Sequence, residues 1–194
     1  MPSPRPLRAD ARRNREALLE AAREAFLADD DAHVEEIARR AGVAVGTLYR
    51  HFDTREALVA EVYRQEVAEL CTAPARLLAQ HSPDEALRAF LLLLVEHSAV
   101  SKGMGEALES IMATDSPVFD DARTEMAHAL DHLLATGAAA GLIRDGVSGR
   151  VVLRGLGGIC SMRANGWQED AIRIATILYD GLRHEAASTA GSRP

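Results

Sequence analysis

The fold is decided by the stretch from residue 34 to residue 64, which reads VEEIARRAGVAVGTLYRHFDTREALVAEVYR. Its first part carries apolar residues at i, i+3, i+4 and i+7, the spacing of one buried helix face: Val34, Ile37, Ala38 and Ala41. Gly42 follows where a residue with positive φ commonly ends a helix. The pattern predicts a short helix, a glycine turn, a second short helix and a long third helix.

The segment after this turn is small and nearly uncharged, which suits a helix that approaches base edges in the DNA major groove. The hydroxyl groups of Thr47 and Tyr49 can donate to phosphate oxygens. Arg50 and His51 can add positive charge or contacts to bases. The same periodicity also fits an ordinary helical hairpin, because glycine turns between helices are common. Spacing alone leaves these two alternatives open.

The start of the third helix has two candidate caps. Asp53 and Glu56 have the spacing of a capping box, and Thr54 is the alternative N-cap. Arg55 lies in the first turn, where backbone amides point outward toward an anion. We therefore include Arg55 among the candidate phosphate contacts.

This part of the chain resembles the DNA-binding domain of TetR-family transcriptional regulators. The shared motif is AxxAGVxxGTLYxHF, here residues 38–52, and the following helix opens with REAL at 55–58. The segment REALLEAAREAF (15–26) resembles the first helix of that family. The resemblance covers the first third of the chain and implies a helix-turn-helix domain.

The resemblance also implies that Thr47, Tyr49 and His51 contact DNA and that Arg55 contacts its backbone. Many members carry a polar pair, often Ser-Lys, just before Gly46, where this chain has Ala44 and Val45. Gly46 then permits close approach, and Val45 is left for apolar contact, for example with a thymine methyl group. The segment 29–33 also lacks the Gly and Thr pair common in the family.

The net charge of −7 conceals a local excess of arginine. Residues 1–64 have a net charge of −1, but residues 1–15 alone have +4. Phosphate attraction depends on the potential within about a Debye length. Arg12 and Arg13 are therefore candidate DNA contacts on a basic N-terminal arm, and the alternative is a solvated tail.

The length and composition predict an all-α protein of two domains. Hydrophobic residues make up 47% and aromatic residues only 4%, so the core is aliphatic. We expect an N-terminal arm and helix-turn-helix domain at 1–53, a helical ligand-binding and dimerisation domain at 54–186, and a disordered tail at 187–194. No apolar run is long enough to span a membrane, and no signal peptide is evident, so we expect a cytoplasmic protein.

The positions of capping residues, prolines and glycines along the chain predict nine helices. Ser82-Pro83 and Ser116-Pro117 read as an N-cap followed by proline at the first helical position, and Ser148 reads as a third cap. Glycines mark the ends. Besides the first helix and the two short ones, the expected spans are 54–78, 83–100, 106–114, 116–139, 149–164 and 168–186.

The last two predicted helices are candidates for a homodimer interface. Three glycines lie within residues 155–158, and because glycine weakens a helix, they favour close helix–helix approach. This pair resembles the C-terminal helices of TetR-like dimers and, more finely, an SbtR-like C-terminal domain. Intrachain packing is the alternative. The candidate interface residues are Leu153, Leu156, Gly157, Cys160, Ile172, Ala175 and Tyr179.

The middle helices are expected to enclose the site of an unidentified small-molecule effector, if the logic of the family applies. Each candidate lining residue suits a dry core equally well. They are Phe90, Leu94, His97, Met104, Leu108, Met112, Phe119, Met126 and Trp167.

We expect no metal, cofactor or catalytic site. His128 and His132 have a spacing that can hold a metal, with Asp131 beside them, but no third ligand is evident and a solvated helix face is the simpler interpretation. Cys71 and Cys160 match no metal spacing and are expected to be free thiols. No phosphate loop or nucleophile motif occurs.

Together these features predict a dimeric repressor that releases a two-fold symmetric operator, in double-stranded DNA, when the effector binds. The alternative is a helical small-molecule or metal sensor that does not bind DNA.

Overall fold

In the computed structural model the described residues are 5–28, 32–114, 116–161 and 165–183. Within these ranges the chain forms nine α-helices and no named strand, which confirms the predicted all-α fold. They are α1 (Arg5–Ala28), α2 (Val34–Arg40), α3 (Val45–His51), α4 (Arg55–Leu78), α5 (Pro83–Gly103), α6 (Gly105–Thr114), α7 (Ser116–Ala139), α8 (Gly149–Cys160) and α9 (Trp167–Leu182). The predicted tail at 187–194 lies outside the described residues.

Two of the helix starts show how the sequence sets these bounds. Thr54, rather than Asp53, caps α4, because its Oγ1 accepts the Ala57 amide at 3.1 Å. At α5, the Ser82 hydroxyl donates to Glu85 Oε2 at 2.8 Å, and the Ser82 amide lies 3.4 Å from the same oxygen. Both contacts run from Ser82 to the Glu85 side chain, so they supply the carboxylate half of a capping box, with Pro83 at the first helical position as expected.

The chain divides into two compact units. Unit 1 comprises residues 1–68 and 96–119, and unit 2 comprises residues 69–95 and 120–194. In unit 1, α1 packs against both α2 and α3, and α2 packs against α3. The fully buried side chains of this unit include Leu18, Phe26, Ile37, Leu48, Leu58 and Met104.

Unit 2 has an aliphatic core to which α4, α5, α7, α8 and α9 all contribute. Its fully buried residues include Leu87, Phe90, Leu91, Leu130, Leu133 and Ile143. α8 packs against α9. Near the end of α9, an isolated antiparallel bridge joins Ile143 to Arg183, with the Arg144 amide donating to the Leu182 carbonyl at 2.8 Å.

The start of α8 is held by α7. Ser148 is the N-cap residue, but its side chain makes no capping hydrogen bond. Instead Asp131 Oδ1 accepts the Gly149 amide at 2.5 Å. A Cβ at Gly149 would lie 2.5 Å from the Ala127 carbonyl oxygen, so only glycine allows this approach without a backbone shift.

Candidate nucleic-acid interface

The turn between α2 and α3 has the geometry that the sequence predicts. Gly42 has a φ of +69°, a conformation that side-chain-bearing residues rarely adopt. The Val43 amide donates to the Ala38 carbonyl at 3.0 Å, and the Gly42 amide donates to the Arg39 carbonyl at 3.2 Å. This is the hydrogen-bond pattern of a Schellman motif, which ends α2 and redirects the chain into α3.

α3 buries one face and exposes the other. Leu48 is completely buried, whereas Tyr49 is 44% exposed although it is a large aromatic residue. Gly46 and Arg50 are exposed, and Val45, Thr47 and His51 are half-buried. A Cβ built on Gly46 would meet no atom within 4 Å. The fold of unit 1 therefore does not itself require a glycine at position 46.

The end of α3 is anchored by Phe52, which is buried. The Arg15 guanidinium carbon lies 5.2 Å from the centre of the Phe52 ring, a cation–π distance. Arg15 also lies 3.0 Å from Glu61. Burial raises the pKa of Glu61, but Arg15 and Arg64 outweigh this and hold it below its usual value. The contacts of Arg15 thus brace α3 and α4 from α1.

The predicted basic arm is helical from Arg5 onward, because α1 begins there. The side chains of Arg12 and Arg13 are 76% and 67% exposed. Arg12 lies 3.6 Å from Glu16, and Arg13 pairs with Asp10. Such exposed ion pairs are weak, so both arginines can exchange their partners for phosphate.

Arg55 has a contact that the sequence did not reveal. It is half-buried, and its Nη2 lies 3.4 Å from the carbonyl oxygen of Ala32, in the segment before α2. This contact links the start of α4 to the start of α2. No local sequence pattern predicts the contact between Arg55 and Ala32, because the two residues are far apart in sequence.

The two basic residues at the end of α2 are matched by one carboxylate. Arg39 and Arg40 both donate to Glu36, at 2.7–2.8 Å. The hydrogen bonds from Arg39 and then from Arg40 lower the pKa of Glu36 to about 2. Both arginines of α2 thus share one carboxylate, and the basic candidates for DNA contact are those of α1, α3 and α4.

The candidate effector-binding residues are divided between the two units, and most are buried. In unit 1, His97, Met104 and Leu108 are buried and Met112 is half-buried. In unit 2, Phe90, Leu94 and Met126 belong to the core, and Trp167, the first residue of α9, packs against that core. The side chain of Phe119 lies outside the described residues.

His97 differs from the other candidates because it is a buried polar residue. Its Nδ1 and the Ser101 hydroxyl are buried with no hydrogen-bond partner among the described residues. Its ring centroid lies 5.7 Å from that of Tyr63, and Nδ1 lies 3.7 Å from Glu66 Oε2, which is too long for a hydrogen bond. Buried polar atoms without a partner are uncommon and call for an explanation.

The candidate dimer residues fall mostly on the inner faces of α8 and α9. Leu156, Cys160, Ala175 and Tyr179 lie in the core of unit 2. The Tyr179 hydroxyl donates to Asp84 Oδ2 at 3.1 Å, so Tyr179 holds α9 to the start of α5. Leu153 and Gly157 are half-buried, and only Ile172, at 42%, is clearly exposed.

Two apolar residues that the sequence analysis missed are more exposed. Val151 on α8 and Ile177 on α9 are each 63% exposed. A Cβ on Gly155, Gly157 or Gly158 would meet no atom within 4 Å. Close packing within the described residues therefore does not account for these three glycines. We define the outer surface of α8 and α9 as Val151, Gly155, Gly158, Ile172 and Ile177.

The histidine pair on α7 shows no ligand geometry. His128 and His132 are exposed, and Asp131 is engaged by the Gly149 amide. Across the residues that the structure describes, no group of three or more His, Cys, Asp or Glu side chains could hold a metal ion. None of the described helices combines the length and the hydrophobicity that a bilayer-spanning segment needs.

Comparison with known proteins agrees with this architecture. Residues 18–62 match the profile of the bacterial regulatory proteins of the tetR family, and residues 82–184 match that of the transcriptional regulator SbtR-like C-terminal domain. The second match confirms the finer resemblance of the C-terminal helices. A search of curated proteins finds no significant match.

Solved structures give the same result. The TetR transcriptional regulator SCO0520 from Streptomyces coelicolor is 38% identical, with a TM-score of 0.77 over 89% of this chain and 99% of that one. A TetR regulatory protein from Mycobacterium vanbaalenii is 34% identical, with a TM-score of 0.68 over 92% of this chain and 100% of that one. Because these matches span nearly the whole chain, it belongs to the TetR family of DNA-binding transcriptional regulators.

Proposed function

We propose that the chain is a homodimeric repressor that binds a two-fold symmetric operator through α3 and releases it when a small molecule binds. The observation that carries this proposal is the exposed face of α3, where Tyr49 is 44% exposed while Leu48 is fully buried. Gly46 and Arg50 are exposed on the same face, so this face combines hydroxyl and guanidinium donors with room for close approach, which suits a nucleic acid. In a helix-turn-helix protein the surface that such a helix contacts is the major groove of DNA.

The contacts we assign follow from the chemistry of each side chain. The hydroxyl groups of Thr47 and Tyr49 donate hydrogen bonds to phosphate oxygens, and Arg50 and His51 supply positive charge or hydrogen bonds to bases. Val45 meets an apolar group such as a thymine methyl. Arg12 and Arg13 on α1 exchange their carboxylate partners for phosphates, and Arg55 is a further candidate for a phosphate.

Gly46 and Tyr49 give the sharpest test of this assignment. Gly46→Ala adds a methyl group that meets no atom of the described fold, so stability is retained, yet the methyl intrudes on an approaching duplex. Tyr49→Ala removes an exposed side chain. Each variant is expected to weaken operator binding about 10-fold, equivalent to a loss of roughly 1.4 kcal/mol in the free energy of binding the whole operator. Fluorescence anisotropy on DNA selected from a random pool measures this.

The matched control for these variants is Arg76→Ala, a change of an exposed residue on α4 that lies outside the proposed interface. All three proteins should give the same helical circular dichroism. Unchanged affinity in both α3 variants would contradict the assignment. Failure of the wild-type chain to enrich any sequence from the pool would instead favour the alternative, a helical sensor that does not bind DNA.

We propose that the homodimer forms through the outer surface of α8 and α9. An operator with two-fold symmetry requires two helix-turn-helix domains in one assembly. The exposed Val151 and Ile177 supply apolar area, and Gly155 and Gly158 let a partner helix approach closely. Among the earlier candidates, Ile172 remains on this surface, whereas Leu156 and Ala175 serve the core behind it.

We propose that His97 is the polar anchor of the effector site. Its buried Nδ1, together with the buried Ser101 hydroxyl, offers hydrogen-bonding capacity that the described residues do not use. An effector that pairs with both atoms removes the cost of leaving them unsatisfied. It shifts operator affinity only by its preference for one of two conformers of the protein, so the site must differ between them.

A further inference from the structure

Arg23, in the second half of α1, joins three helices of unit 1. Its Nε donates to Glu66 Oε1 on α4 at 2.7 Å, and its Nη2 donates to Glu96 Oε1 on α5 at 2.5 Å. His97, the next residue of α5, lies 3.7 Å from the second carboxylate oxygen of Glu66. We call Arg23, Glu66, Glu96 and His97 the Arg23 cluster.

Glu66 makes the ion pairs of this cluster important for stability, because its side chain is only 7% exposed. Burial raises the pKa of Glu66, but the charge and the hydrogen bond of Arg23 act against it, and the pKa stays below its usual value. The carboxylate is therefore charged at neutral pH, and a buried charge without a partner is costly. Positions of α1 that separate Arg23 from Glu66 are disfavoured for this reason.

The position of α1 matters for DNA binding because α2 and α3 pack on it. We call α1, α2 and α3 together the head. α1 packs against both α2 and α3, and Leu18 and Phe26 on its inner face are fully buried. Packed interfaces of this kind transmit displacements rather than absorb them. A shift of α1 on α4 and α5 therefore changes the orientation of α3.

We propose that the Arg23 cluster positions the head: it fixes α1 on α4 and α5, and operator affinity depends on its ion pairs although Arg23 itself does not contact DNA. This inference rests on the proposed DNA-binding function. It also connects the two proposed sites, since His97, the candidate effector anchor, borders the same carboxylate that holds Arg23. An effector that displaces Glu66 from Arg23 thereby loosens the head.

The test compares Arg23→Met and Arg23→Lys with the wild-type chain, using DNA that the wild-type chain enriches from a random pool. Methionine keeps length and helix propensity but removes the charge, and lysine keeps the charge but loses the planar fork. We expect Arg23→Met to bind this DNA at least 10-fold more weakly and Arg23→Lys to recover part of the loss, within the usual range of coupling between sites. Arg76→Met, an exposed change of the same kind on α4, should bind like the wild type.

Salt dependence separates positioning from direct contact. A residue that neutralises one phosphate per subunit contributes about two to the salt slope of a dimer, whereas a positioning residue contributes nothing. We expect Arg23→Met to retain the wild-type slope. A slope reduced by about two would overturn the proposal, because Arg23 would then be a phosphate contact.

A double variant separates positioning from stability. Arg23→Met leaves Glu66 charged and buried, so its unfolding midpoint should fall, and adding Glu66→Gln should restore the midpoint without restoring DNA affinity. Recovery of both together, or unchanged affinity in folded Arg23→Met, would overturn the inference while leaving the proposed function intact. If the wild-type chain enriches no DNA, it is the proposed function that fails.

Discussion

Replacing Gly103 by alanine is expected to lower the free energy of unfolding by about 3 kcal/mol, the upper part of the usual range for overpacking. Gly103 is the buried last residue of α5. A Cβ at this position would lie 1.8 Å from the carbonyl oxygen of Phe26 and 2.7 Å from its Cα, both in α1. Real Cβ atoms do not approach backbone atoms so closely, so one of the two helices must move.

The clash cannot be relieved by a side-chain rotation, because the atoms on both sides belong to the backbone. The expected loss is therefore larger than for a change against a flexible side chain. Denaturant unfolding followed by circular dichroism measures it, at fixed protein concentration because the proposed dimer would contribute to stability. The Gly103→Ala curve should shift to lower denaturant with a similar slope.

Gly181→Ala is the matched control. Gly181 also lies in a helix, but its added Cβ would meet no atom within 4 Å. Alanine has the higher helix propensity, so this variant should be unchanged or more stable by up to about 1 kcal/mol. Equal stability of the Gly103→Ala and wild-type chains would show that α1 and α5 do not approach as closely as described.

The glycines show which structural roles can be predicted from the sequence and which cannot. Gly42 could be interpreted from local signals, because it follows a periodic helix and its φ of +69° ends that helix. Gly103 and Gly149 are required by the proximity of another helix, and nothing in their neighbours along the chain records that proximity. The sequence instead drew attention to Gly155, Gly157 and Gly158, whose Cβ positions are open.

Periodicity has the same limit on α8 and α9. It correctly identified a continuous apolar stripe, but a stripe does not state whether it faces the core of its own chain or a second copy. Leu156 and Ala175 proved to be core residues, whereas Val151 and Ile177 lie on the outer faces. Hydrogen bonds between distant residues are equally invisible to spacing, as in Arg23 with Glu66 and Arg55 with Ala32.

The short helices of the head were predictable in more detail because they depend on local rules. The glycine turn, the small residues at the start of α3 and the buried Leu48 are all set within a few residues of one another. The sequence offered Asp53 and Thr54 as caps of α4, and the structure shows Thr54 in that role, because its hydroxyl oxygen accepts the Ala57 amide. The roles of the exposed residues on α3 remain predictions until DNA binding is measured.

A charge placed on the outer surface of α8 and α9 is expected to weaken the proposed dimer strongly. Val151→Glu is the preferred variant, because Val151 is 63% exposed in the single chain and glutamate is a good helix former. Position 151 also lies in the first turn of α8, where a carboxylate interacts favourably with the helix dipole. The variant chain should therefore keep its fold and its circular dichroism.

In the dimer the same carboxylate would be buried against a second copy without a partner, which costs several kcal/mol. The dimer dissociation constant is expected to rise by at least about 100-fold, equivalent to roughly 2.7 kcal/mol. Affinity for a complete operator should fall by a similar factor, because a monomer occupies only one half-site, whereas affinity for an isolated half-site should change little. Sedimentation velocity over a concentration series and anisotropy with both DNAs measure these quantities.

Leu142→Glu is the control, because Leu142 is also exposed, at 37%, but lies in the turn after α7 rather than on α8 or α9. It should remain as dimeric as the wild-type chain. Dimers of unchanged stability in Val151→Glu would place the interface elsewhere and leave the open glycines of α8 unexplained. Loss of the dimer in Val151→Glu alone, with half-site binding preserved, would mean that α3 reads DNA independently while α8 and α9 set the spacing of two such heads.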